Sequence, residues 1–300
     1  MNLLITGAWS DGKAAISDLK KAGHSVQFLQ QEVESLPCPY DWVEGVICNG
    51  LFLHHPIEKF TNLKYIQLTS AGFDRVPMDY VREHHIEISN ARGVYSIPMA
   101  EFALCGVLQL YKKSGFFRKN QENHLWEKNR KVQELFGKTV CILGCGSVGS
   151  ECAKRFSIFG CHVIGVDIAP SFNPCFEKIV PLASLENILP CSDIVILTLP
   201  LTEQTHHLMN EARLSHMKKD AVLVNIARGA IVDTNAMVRA LQSNLGGAVL
   251  DVFEEEPLHA ESSLWDMEHV LITPHNSFVG DHNADRLKEI IFMNLKVFAS

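Results

Sequence analysis

"GKTVCILGCGSVGSECAKRF", residues 137–156, joins a short apolar run to a run of helical character through three glycines. Gly144, Gly146 and Gly149 give the spacing G-x-G-x-x-G. In a strand-to-helix turn each has a physical reason. The first permits the tight turn, the second lets backbone approach a pyrophosphate, and the third lets the helix pack on the strand. The amides at the helix start then face the anion. The next apolar run, "HVIGVD" (162–167), ends in Asp167, placed to hydrogen-bond a ribose 2′-hydroxyl. No arginine follows among Ile168, Ala169 and Pro170, so a 2′-phosphate has no evident partner. The expectation is a dinucleotide site for NAD rather than NADP. Gly144, Cys145, Gly146, Ser147, Val148, Gly149 and Asp167 would contact the cofactor.

A second glycine stretch, "LLITGAWSDGKAAI" (3–16), competes with this reading. Gly7 and Gly12-Lys13 nearly complete a triphosphate cradle, but Ala14 stands where a hydroxyl should hold magnesium. The stretch therefore reads as a plain strand, turn and helix.

Working outward, short apolar runs alternate with helix-like stretches. Runs at 2–6, 25–29, 44–48 and 64–68 come before a strand-free stretch, 98–131, which opens at Pro98. The rhythm restarts at 137 and continues through runs at 162–166, 193–199, 221–226, 247–252 and 270–272. Such alternation implies parallel sheets covered by helices. The terminal segment 282–299 has helical spacing. The fold class expected is α/β with two doubly wound domains. Residues 1–97 and 280–300 would form one and residues 98–279 a Rossmann domain.

Composition narrows the function. The 300 residues are 47% apolar and 20% charged, as in ordinary globular proteins. A net charge of −7 with no basic run disfavours nucleic acid. No apolar run approaches the roughly 20 residues of a membrane span, and no secretory signal is visible. The nine cysteines form no C-x-x-C pair, which disfavours a disulfide framework or a metal site. The expectation is a cytoplasmic protein with reduced thiols.

Ligands of doubly wound sheets bind at the carboxyl ends of the strands. At those ends in the second unit stand Arg228, in "ARGAIVD", Glu256, after "DVFEE", and His275, after "ITP". An arginine, a carboxylate and a histidine converge on one edge.

"LGCGSVG", "LPLTEQT", "NIARGAIVD", "LDVFEEEP" and "TPH", in this order, resemble the signatures of the D-isomer-specific 2-hydroxyacid dehydrogenase family. "LTSAGFDRV" (68–76) and "GVYSIPMAEF" (93–102) extend the resemblance over nearly the whole chain. It implies a flavodoxin-like substrate domain beside the NAD-binding one. It implies an oxidoreductase that moves a hydride between NAD(H) and a small 2-oxo or 2-hydroxy acid of the D series. By the same resemblance His275 is the general acid/base, Glu256 its partner, and Arg228 the group on the substrate's carboxylate and carbonyl. Asp251 would hold the nicotinamide carboxamide, with Leu199, Pro200, Thr205 and Ala227 also lining the cofactor. Ser70, Ala71 and Gly72 would meet the substrate carboxylate through backbone amides. A homodimer, joined through the 98–131 crossing, is implied as well. Glu256 disfavours the formate-oxidising branch, where a glutamine is expected.

The residue types suit the chemistry. Imidazole suits proton transfer near neutrality, and a neighbouring carboxylate favours its protonated form. A planar guanidinium can clamp a carboxylate and polarise the carbonyl beside it. An alternative of another class is a corepressor-like protein that uses NAD(H) to control assembly.

Three further expectations concern details. Where the family commonly has glycine soon after the histidine, this chain reads Asn276-Ser277-Phe278. Cys145, at a helix N-terminus, is either a thiol of lowered pKa or a small residue filling a turn. By the family resemblance, Leu51, Phe52, Leu53 and Phe73, with Arg75 as the only permanent cation, would face the carbon chain of the substrate, which implies one without phosphate. His54 or His55 could bind a phosphate if protonated.

Overall fold

The computed structural model describes residues 1–299. The chain forms two compact units, divided between Tyr95 and Ser96 and again between Val279 and Gly280.

The first unit begins with β1 (Asn2–Thr6), α1 (Gly12–Lys21), β2 (Ser25–Leu29), β3 (Gly45–Cys48), β4 (Tyr65–Leu68), α2 (Met78–Glu83) and β5 (Glu87–Ser89). The second contains α3 (Ser96–Tyr111), α4 (Ser114–Glu122), β6 (Thr139–Leu143), α5 (Ser147–Ile158), β7 (His162–Asp167) and β8 (Lys178–Pro181). It continues with α6 (Leu185–Ile188), β9 (Ile194–Leu197), α7 (Glu211–His216), β10 (Val222–Asn225), α8 (Thr234–Ser243), β11 (Gly247–Leu250) and β12 (Val270–Ile272). The last helix, α9 (Asn283–Ala299), belongs to the first unit.

In the first unit five parallel strands lie in the order β2-β1-β3-β4-β5, the flavodoxin-like arrangement. All residues of β3 and β4 are buried, as expected when helices cover both faces. One face packs Leu4, Val46, Cys48 and Ile66 against Leu51, Phe60 and Val81. The other packs Leu3, Ile5 and Ile47 against Leu19 of α1 and Leu287, Ile291 and Leu295 of α9. Asn294 of α9 also donates to Gln67 at 2.9 Å.

The turn after β1 has no phosphate cradle. The amides of Gly7, Trp9 and Gly12 donate to the carbonyls of Leu29, Thr6 and Trp9. A Cβ on Gly7 would lie 2.2 Å from the Gln30 carbonyl oxygen, so this glycine serves a close backbone approach rather than a ligand.

The second unit carries seven parallel strands, ordered β12-β11-β10-β9-β6-β7-β8. Strand alternation divides its core between two faces. Leu143, Leu197, Leu223 and Leu250 point to the face covered by α7 and α8. Ile142, Ile196, Val224 and Val249 point to the face covered by α3 and α5. Helix α3 runs close against β11, because Gly106 meets Val249 where a Cβ would come within 2.6 Å of it.

The crossing at 98–131 resolves into α3, α4 and an extended segment. Two strands lack the apolar run that marks the others. β5 ("EIS") and β8 ("KIVP") lie at sheet edges and are largely exposed or half-buried.

Candidate active site

Strand order reverses between β6 and β9, and the glycine loop leaves β6 at this point. Gly144 has φ +95°, and a Cβ there would sit 3.0 Å from the Thr198 carbonyl. A Cβ on Gly149 would lie 2.0 Å from the Gly144 oxygen. Both glycines are required by backbone contacts inside the turn. Gly146 differs, since a Cβ there would meet nothing within 4 Å. Its exposed face is open for a ligand to approach. Helix α5 has no side-chain cap, and its first bond runs from the Ser150 amide to the Gly146 oxygen. The amides of Val148 and Gly149 precede that bond and suit an anion. This cradle fits a pyrophosphate.

Asp167 ends β7 beside the loop. Its carboxylate accepts from the Cys145 amide at 2.7 Å and from the Ala169 amide at 3.0 Å. Cys145 departs from one expectation. Burial and the nearby Asp167 charge push its thiol up to about 12, so the helix end does not activate it. Its sulfur occupies the space left by Gly165, where a Cβ would come within 2.4 Å. It is the turn-filling residue of the two readings.

Thr198, which sequence reading passed over, fastens the loop. Its hydroxyl reaches the carbonyls of Leu143 and Gly144 at 3.0 and 2.7 Å. Leu199 is buried and Pro200 exposed. Thr205 is buried, with its hydroxyl bonded to the Pro200 carbonyl at 2.7 Å and to the Thr202 amide at 2.7 Å. Its place is inside the loop, holding Pro200.

Arg228, Glu256 and His275 follow β10, β11 and β12, three neighbouring strands. The turn at Arg228 is shaped by buried Asn225, whose amide group reaches the Arg228 carbonyl and accepts from the Ala227 amide. One guanidinium nitrogen donates to the Ala227 carbonyl at 2.8 Å. Gly229 lets this turn meet the next loop, since a Cβ would fall 1.8 Å from the Phe253 carbonyl carbon.

Glu256 divides its oxygens. Oε1 accepts from the Phe253 amide at 3.0 Å, and Oε2 lies 3.0 Å from His275 Nδ1. The pair is accessible, with side-chain exposures of 42% for His275 and 39% for Glu256. A proton on Nδ1 satisfies the carboxylate and leaves Nε2 for chemistry.

His275 adopts φ +52°, a left-handed conformation that costs a residue with a Cβ about 1–2 kcal/mol. Asp251 holds it there. The Asp251 carbonyl accepts the His275 amide at 2.8 Å. Its fully buried carboxylate takes the Thr273 hydroxyl and the amides of Asn276 and Ser277 at 2.6, 2.7 and 2.9 Å. Asp251 thus orders the histidine loop. The unusual Asn276-Ser277-Phe278 is accommodated by these bonds, and the Phe278 ring meets His275 edge-on at 6.0 Å.

Ser70, Ala71 and Gly72 lie in the first unit, just after β4. The Ser70 hydroxyl donates to the Gly72 carbonyl at 3.1 Å, and Asn90 to the Ala71 carbonyl at 2.6 Å. Neither bond uses the amides of Ala71 or Gly72. Two expectations for this unit need correction. Leu51 is fully buried and Phe52 packs on Phe60, so both belong to the core, whereas Leu53 and Phe73 are exposed. His55 is buried and engaged by the Tyr40 hydroxyl and the Glu32 carbonyl, which removes it as a phosphate ligand. Among the described residues no cluster of three or more His, Cys, Asp or Glu could hold a metal ion. Nor is any described helix long and apolar enough to cross a membrane.

The sequence and fold match known proteins. The NAD binding domain of the D-isomer specific 2-hydroxyacid dehydrogenases matches residues 104–277. A glyoxylate reductase of Thermofilum pendens is 35% identical over 243 residues, which span 78% of this chain and 71% of that protein. An (S)-sulfolactate dehydrogenase of Chromohalobacter salexigens is 31% identical over 243 residues, 80% of this chain and 79% of that one. The crystal structure of D-lactate dehydrogenase from Aquifex aeolicus, complexed with NAD and lactic acid, superposes with a TM-score of 0.82 at 27% identity, covering 99% of this chain and 95% of that one. The chain belongs to the D-isomer specific 2-hydroxyacid dehydrogenase family and is an NAD-dependent oxidoreductase acting between 2-oxo and 2-hydroxy acids.

Proposed function

We propose that this enzyme reduces a small, unphosphorylated 2-oxo acid to the 2-hydroxy acid, of D configuration where that product is chiral, with Arg228, Glu256 and His275 as its catalytic residues. The observation that carries the reading is the His275–Glu256 bond at 3.0 Å, one strand away from Arg228. NADH, when bound, would supply the hydride for the carbonyl carbon. His275 Nε2 delivers the proton to the carbonyl oxygen. Glu256 holds the ring in place through its bond to Nδ1. Arg228 binds the substrate carboxylate and polarises the carbonyl. The first unit is then the substrate domain, with the amides of its Ser70–Gly72 loop offered to the substrate.

The cofactor would rest on Gly144, Cys145, Gly146, Ser147, Val148 and Gly149, with Asp167 at the ribose. Leu199, Pro200 and Ala227 would line its path, and Thr205 would hold Pro200 in place. Asp251, fully buried with its carboxylate taken by Thr273, Asn276 and Ser277, would serve the site by ordering the histidine loop and not by direct contact with the carboxamide. The lack of arginine after Asp167 supports NAD.

The exposed apolar Leu53 and Phe73, with Arg75 as the loop's one permanent cation, favour a short substrate without phosphate. The relatives named glyoxylate reductase support a substrate as small as glyoxylate. The nine thiols favour a reducing, cytoplasmic setting. Exposed Leu125, Trp126 and Phe136, in the segment after α4, favour a homodimer.

Steady-state rates with NADH test the substrate assignment. Glyoxylate, hydroxypyruvate or pyruvate should turn over with a higher kcat/KM than 3-phosphohydroxypyruvate. A tenfold advantage for the phosphorylated acid, about 1.4 kcal/mol of transition-state stabilisation, would reverse it.

A further inference from the structure

His206 and His207 end the loop after β9 and belong to no motif of the proposed site. Their rings stack at 4.1 Å. His207 has φ +47° and gives its amide to the Ala230 carbonyl at 2.8 Å. Its Nε2 lies 2.5 Å from Glu254 Oε1. The second oxygen of Glu254 accepts the Thr234 amide at 2.9 Å, at the start of α8.

Three loops therefore meet at Glu254. One leaves β9 and carries Leu199, Pro200 and Thr205. One leaves β10 and carries Arg228, with Gly229 pressed against the backbone of Phe253 and Glu254. The third leaves β11 and carries Glu254 itself, two residues before Glu256. The Phe253 amide is bound by Glu256, so a shift of Glu254 is passed along the same turn. Burial raises the Glu254 pKa, but bonds from Thr234 and His207 outweigh it and hold the carboxyl below its usual range. A simple surface ion pair would contribute little. This pair has two further bonds and a left-handed backbone residue built around it.

We propose that His207 and Glu254 are positioning residues for the reaction, locking the loop that lines the cofactor to the turn that aims Glu256 at His275. The proposal rests on the catalytic assignment given above.

A double-mutant cycle tests it. His207→Ala, Glu254→Ala and the double variant are compared for kcat, KM for NADH, NADH affinity and Tm. Each single change should lower kcat and raise KM for NADH by about fivefold to tenfold. The double variant should be no worse than the worse single, because one interaction is lost in each case. Glu254→Gln, which can still accept from Thr234 and donate to the imidazole, should recover most of kcat. Multiplying effects in the double variant, or a lower Tm with unchanged kcat and KM, would overturn the proposal. Should the alanine variants fail to fold, His207→Gln and Glu254→Ser complete the same cycle and are judged by the same outcomes. His275→Asn, measured in parallel, separates the two levels. Full activity there removes the site assignment, whereas an inactive His275→Asn beside silent His207 and Glu254 variants removes only the positioning role.

Discussion

Two side chains at the glycine loop and the strand ends show what a residue's surroundings decide. Arg228 stands on an extended backbone and keeps one guanidinium bond to its neighbour's carbonyl. A group that both binds and polarises acts on two kinetic constants. Arg228→Ala is expected to raise KM for the 2-oxo acid and lower kcat, each by at least tenfold, and a near-native kcat/KM would deny it that role. Cys145 shows the opposite effect of setting. A thiol of pKa about 12 holds only about one part in ten thousand as thiolate at pH 8. Cys105 and Cys191 are exposed. Iodoacetamide should therefore label Cys145 about a hundredfold more slowly than these, with its rate still rising beyond pH 10. Mass spectrometry of partly labelled protein reads this directly, and equal rates would contradict the burial argument.

At the scale of elements, the parts visible in the sequence are those whose burial is complete. Interior strands such as β9 ("IVIL") and β10 ("VLVN") are covered on both faces and so read as unbroken apolar runs. β5 and β8 are edge strands, half-covered, and their three or four residues carry no such run. The residues of the proposed site divide in the same way. Arg228, Glu256, His275 and the glycine loop were legible because motif and strand end coincide. Thr198 and Asn225 were not, because their partners come from other loops or from backbone geometry. The Glu254–His207 bond spans 47 residues and leaves no local trace. Gly229 is a further case, meeting a loop from another strand. Gly229→Ala would place a Cβ 1.8 Å from the Phe253 carbonyl carbon and must push two active-site loops apart. It should lower kcat/KM by a hundredfold or more. Gly146→Ala meets open space and should keep Tm while weakening NADH binding. Equal kinetics for Gly229→Ala and the parent enzyme would show that the two loops yield freely.

At the scale of the molecule, Trp126 is 99% exposed in a segment that also presents Leu125 and Phe136. A side chain so large gains about 25 cal/mol for each Å² of apolar surface it loses to a partner. Sedimentation at micromolar concentration should give a dimer that Trp126→Ala weakens by at least tenfold in Kd. A monomeric parent would remove the dimer from the account. The proposed reaction has His275 pass a proton to a 2-oxo acid as NADH is oxidised. The direct measurement is the rate of NADH oxidation with glyoxylate for the parent enzyme and His275→Asn, with NADH binding followed by fluorescence in both. The parent should turn over, the variant should lose about 10²–10⁴ in kcat, and NADH affinity should be similar in the two. A parent enzyme that binds NADH yet fails to oxidise it in the presence of any 2-oxo acid tried, or a His275→Asn variant as fast as its parent, would contradict this role for His275.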